Sequence, residues 1–179
     1  LGPVSFGGYY LILSIAQVTD LPVDGLSMAG KKRYSETDTD RDSIVGAIIL
    51  IVIGVFIIVA TLAVILREQI ISYSGVKNGV EIFILLFGTM MLFSPFQNIL
   101  SGPGRLGLTI SIDRFRSILT TPLQILLVLF GWGALGMAVV LTAATILTIP
   151  FTYYYLRVSP SIPNRKTLNS IWSYARYSI

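Results

Sequence analysis

The chain has no cysteine and no histidine, so thiolate nucleophiles, imidazole bases, disulfides and the usual zinc ligands are missing from its chemistry. What remains is carboxylate, amide, hydroxyl and guanidinium, and these gather in two places. Tyr10, Ser14, Gln17, Asp20 and Asp24 are spaced 4, 3, 3 and 4 residues apart. At 100° per residue they share an arc of about 120° on one helix. Ser94, Gln97, Asn98 and Ser101 recur at 3, 1 and 3, again on one face, and Arg105 stands directly after the turn Ser101-Gly-Pro-Gly104. Carboxylates and amides so arranged suit a cation, a proton or a hydroxyl-rich ligand, and Arg105 suits a phosphate. Hydrolysis would rest on carboxylates and hydroxyls alone, which weighs against an enzyme. No metal and no cofactor is expected. Gly131–Gly136 formally matches Gly-x-Gly-x-x-Gly, but no strand precedes it, so it reads as a tight hairpin turn.

The elements that carry these residues are apolar. Hydrophobic residues make up 54% of the chain and charged residues 12%, against about a quarter charged in soluble domains. Four apolar stretches each exceed the twenty or so residues that cross a hydrocarbon core of about 30 Å, and the last is long enough to cross twice. The pattern predicts an all-α, polytopic bundle of about five transmembrane helices over 6–29, 44–66, 80–100, 114–130 and 134–156. A cytoplasmic linker and interfacial amphipathic helix follow over 158–179, the latter on Leu168, Ile171, Trp172 and Ala175. Ser5 is placed to cap the first helix. Gly46, Gly54 and Ala60 of the second could admit a close neighbour.

Lys and Arg alternate between the loops: four, two, three, none and four along the chain. Counting Arg105, Arg114 and Arg116 as one loop, eleven lie on one side and two on the other. Basic loops face the cytoplasm, so the first residues are expected outside and the tail inside a cell membrane. The net charge of +4 is thereby assigned to orientation and anionic headgroups, with no nucleic acid as partner. A start outside without a charged leader, and a tail that stops mid-pattern, suggest an internal piece of a larger protein.

Each polar residue has two readings. Asp20, about 21 Å along the helix from Phe6, either lines a watery cavity or pairs with a basic residue for assembly. Asp24 either joins it or reaches the interface. Ser94, Gln97 and Asn98 either bind sugar hydroxyls or glue helices together. Arg105 either meets a phosphate or is one more orienting charge.

The opening Leu1-Gly-Pro-Val-Ser-Phe-Gly-Gly-Tyr, the polar first helix leaving through Gly25-Leu-Ser-Met-Ala29 into Lys31-Lys-Arg-Tyr-Ser-Glu36, the stretch from Gly104-Arg-Leu-Gly107, then Pro122-Leu-Gln124 and the glycine hairpin carry a resemblance. Together they resemble Wzx-type oligosaccharide flippases of the multidrug/oligosaccharidyl-lipid/polysaccharide exporter superfamily. The resemblance implies most of an N-terminal six-helix half without its first helix, facing a second half across a cavity that opens to each membrane side in turn. It implies a lipid-linked oligosaccharide as substrate, membrane lipids and the remaining helices as partners, and Gln17, Asp20, Asp24, Ser94, Gln97, Asn98 and Arg105 as the cavity lining. A cation-coupled drug antiporter of the same superfamily, and a non-transporting membrane scaffold, remain as alternatives.

Overall fold

The computed structural model describes residues 3–36, 40–102 and 104–176, so Leu1, Gly2 and Pro103 of the sequence motifs lie outside the described residues. So do the side chains of Trp172, Ala175 and Arg176. The described chain is all-helical: α1 (Pro3–Tyr34), α2 (Arg41–Ile65), α3 (Arg67–Ser74), α4 (Gly79–Ser101), α5 (Leu106–Leu129), α6 (Gly133–Leu156) and α7 (Arg165–Arg176).

Three of these, α2, α4 and α6, are long and apolar enough to cross a membrane. Among the described residues, length and composition alone single out these three and leave the expected crossings by α1 and α5 without that support. α1 is diluted by Gln17, Asp20 and Asp24, and α5 by Asp113, Arg114 and Arg116.

α1 starts earlier and ends later than the apolar stretch predicts. Pro3 sits at its first position, where the missing N–H costs nothing, so Ser5 lies inside the helix and is not its cap. Lys31, Lys32 and Arg33 fill the last turn, where cations complement the helix dipole. α5 begins at Leu106, eight residues before the predicted start. α3, which no apolar run announces, ends on Gly75 with φ 65°. Its polar first turn (Arg67, Glu68, Gln69) hides the short helix in what reads as a loop.

The long helices α1, α2, α4, α5 and α6 alternate in direction, so α1, α4 and α6 run parallel. Gly8 of α1 lies against the carbonyl of Ser74, Asp24 meets Ser94 and Asn98, and Gly102 meets Ser35. Thr89 pairs with Thr142 at 2.9 Å, and Thr142 also donates to the Leu85 carbonyl at 3.3 Å. Such hydroxyl pairs hold helices where no water competes. α5 and α6 form the hairpin read from the glycines. Gly131 (φ 85°) and Gly133 (φ 57°) take the left-handed conformation its turn needs.

The core lies around α4, where Ile82, Leu86, Phe87, Met91, Ile99 and Leu100 are fully buried. α2 is peripheral, and Ile53, Ile57, Ile58, Leu62 and Ile65 face outward. Its Gly46 admits the backbone of Ser161, whereas Gly54 has no neighbour and serves no close approach. Around that contact, Asp42 accepts from the backbone N–H of Ser159 at 3.1 Å and of Ser161 at 3.2 Å. α7 then docks by Ile171, fully buried, and by Ser43 donating to Thr167 at 3.1 Å.

Candidate functional site

One turn of α4, from Phe93 to Asn98, touches three other helices through polar or aromatic groups. Toward α1, Ser94 Oγ donates to Asp24 Oδ1 at 3.1 Å and Asn98 Nδ2 to the same oxygen at 2.7 Å. Asn98 Nδ2 also donates to Ser27 Oγ at 2.8 Å, and Ser27 Oγ to the Asp24 carbonyl at 2.8 Å. Toward α6, Gln97 Nε2 reaches Thr152 Oγ1 at 3.5 Å, a long and weak contact. Toward α5, the ring of Phe93 carries the guanidinium of Arg116, 3.8 Å from its centroid, and Arg116 also donates to Asp113 at 2.9 Å.

The structure therefore brings Asp24, Ser94 and Asn98 into one network and sets Gln97 on the adjoining face. Asp20 lies one turn back from Asp24 on α1, half-buried, while Gln17 is exposed. Arg105 does not join them. It is exposed at the end of the bundle, where Nη1 donates to the Tyr155 carbonyl at 2.6 Å. The outer part of the predicted α1 stripe dissolves into local contacts, for Ser14 bonds its own helix at the Tyr10 carbonyl, 2.9 Å away. Of four described cavities, only a small one touches this network, at Ser27, and the others are lined by different residues. One of about 460 Å³ opens by Val76, Asn78 and Trp132, and the rest are apolar grooves between helices.

Among the described residues, three buried side-chain atoms have no hydrogen-bond partner: Asp20 Oδ1, Gln97 Oε1 and Arg116 Nε. Buried polar atoms are nearly always bonded, and an exception points to strain, to function or to a water or ion at the site. Two of the three belong to residues singled out from the sequence. Arg116 was counted there among the loop charges. No sequence signal marked it, because the helix was expected from residue 114; only the observed start at Leu106 puts Arg116 ten residues, about 15 Å, inside α5. Counted as a loop residue it raised the basic side by one.

Gln97, Ser94 and Phe93 lie about 6 to 12 Å inward from the Ser101 end of α4. That is the end where Lys31, Lys32, Arg33, Arg41, Arg105 and Arg157 gather. Asp20 on α1, Gln97 on α4 and Arg116 on α5 each keep one buried atom with bonding capacity to spare: a carboxylate oxygen, an amide oxygen and a guanidinium nitrogen. Such groups can bind and orient a polar or charged ligand. No described group of three or more carboxylates could hold a metal ion.

Compared with known proteins, the chain matches no family model, no curated protein and no solved structure.

Proposed function

We propose that this chain is part of a flippase that moves a lipid-linked oligosaccharide across a cell membrane by alternating access, with about five crossing helices and the basic end in the cytoplasm. The observation that carries the reading is the set of three orphaned polar atoms at Asp20, Gln97 and Arg116. In a hydrocarbon slab such atoms cost several kcal/mol each unless a ligand, an ion or water meets them. A flippase needs such a surface to shield a sugar head from the lipid tails.

The five crossings are supported by the packing. α1 runs beside α4 from Gly8 to Ser35, and α5 beside α6 from Phe115 at Phe151 to Gln124 at the Met137 carbonyl. A slab crossed by α4 and α6 is crossed by their companions as well. For the phosphate, Arg116 is favoured over Arg105, because Arg116 packs on Phe93 in the α4 turn that also carries Gln97 and Ser94. The remaining helices of the transporter, implied by the resemblance, close the half-buried face from the other side.

A second reading, a cation-coupled antiporter, is favoured by one observation: Asp20 and Asp24 present two carboxylates a turn apart, one of them with a free oxygen. A purely structural scaffold accounts for the closed Asp24 network and leaves the orphaned atoms without a purpose.

The test replaces the gene in its own strain with Asp20→Ala or Gln97→Ala and compares surface-glycan output with protein level. Output is expected to fall while the protein level holds. Normal glycan after deletion of the whole gene, with no second flippase present, would contradict the assignment.

A further inference from the structure

At the basic end, α5 and α6 part to leave a mostly apolar groove of about 230 Å³, lined by Leu108, Ser111, Ile112, Phe115, Phe151 and Tyr155, with Thr148 at its wall. From Leu108 to Phe115 it follows α5 for about 10 Å. That depth fits within one leaflet, whose hydrocarbon is about 15 Å thick. Phe115 and Phe151 are about half exposed and pack edge to face, 5.9 Å between centroids, so the groove opens to the surroundings of the bundle.

A cation stands at its rim. Arg105 is tethered to the Tyr155 carbonyl, one of the groove's own residues. One Nη is used in that bond, and among the described residues no carboxylate pairs with the guanidinium. An apolar slot of leaflet depth with an unneutralised arginine at its polar end is complementary to a molecule with an acyl chain below and a phosphate above. Basic pockets between transmembrane helices on the cytoplasmic side take anionic headgroups in this way.

We propose that the α5–α6 groove seats one acyl chain of an anionic glycerophospholipid, with its phosphate on Arg105. The depth argues for a resident membrane lipid over a polyprenyl carrier, whose chain would far outrun the groove. The lipid holds the α5–α6 hairpin at a fixed height and supplies the anion that Arg105 lacks. The inference needs the membrane setting and does not depend on what the protein transports.

The experiment is native mass spectrometry of the purified chain in mild detergent, titrated with phosphatidylglycerol or with phosphatidylcholine of the same acyl chains. The first phosphatidylglycerol is expected to bind about fivefold more tightly than the first phosphatidylcholine, the worth of one basic residue at a charged headgroup. Arg105→Gln should erase that preference, while Arg105→Lys and Arg114→Gln, which lose no charge at this rim, should keep it. Ser111→Phe, which fills the groove, should remove the first binding step for both lipids. Equal binding of the two lipids by the unaltered chain would overturn the proposal, as would a preference that survives Arg105→Gln. Displacement of the bound lipid by equimolar polyprenyl phosphate would give the groove to the substrate's chain and overturn it too.

Discussion

Asp20 and Asp24 stand one helical turn apart in different company, and that difference sets what a substitution does at each. Asp24 accepts from Ser94 and Asn98, so removing either donor leaves a carboxylate under-satisfied between two helices. Asn98→Ala is expected to lower stability by about 1 to 2 kcal/mol, read as an earlier unfolding midpoint in detergent. Asp20 Oδ1 makes no bond, so Asp20→Asn should leave that midpoint unchanged and alter function alone. Arg116 rests on the ring of Phe93. Phe93→Leu should therefore cost about 0.5 to 2 kcal/mol and free the guanidinium to wander. The same midpoint should fall in Phe93→Leu and hold in Phe93→Tyr, which keeps the aromatic face.

Among the elements, Gly46 on α2 is the position where a side chain does most harm, because a Cβ there would strike the backbone of Ser161. Gly46→Leu should lift the 158–164 segment and α7 off α2, seen as faster proteolysis within that segment. Gly54→Leu, with nothing nearby, should cleave like the unaltered chain. The long helices were legible in the sequence because apolar runs and charge breaks mark them directly. α4 and α6 came within a residue of their observed ends, and α2 within three. α1 and α5 were less legible at their polar ends. A run such as Lys31-Lys32-Arg33 reads as a loop by hydropathy, and it extends a helix once the dipole and the packing of Tyr34 under Leu156 hold it. α3 lacked an apolar run altogether.

For the molecule as a whole, the site was half legible. Spacing alone picks out Asp24, Ser94 and Asn98 as faces of two helices, and the parallel packing of α1 on α4 brings them together. It could not show that Arg105 turns to α6, nor that Arg116 turns inward, since both follow from how α5 and α6 pack. The two-ended distribution of charge gives a further prediction. Single cysteines at Ser35 and at Ser72, both exposed and at opposite ends of the bundle, should label from opposite sides of intact cells. Labelling of both from one side would overturn the topology.

The measurement closest to the proposal is translocation itself, in vesicles reconstituted with the protein and a lipid-linked oligosaccharide in the outer leaflet. The account predicts that the glycan becomes protected from an added endoglycosidase far faster than in protein-free vesicles, and about tenfold more slowly with Asp20→Asn or Arg116→Gln, as for the loss of one contact worth about 1.4 kcal/mol. Protection at the protein-free rate, with the protein shown to be folded and inserted, would contradict it.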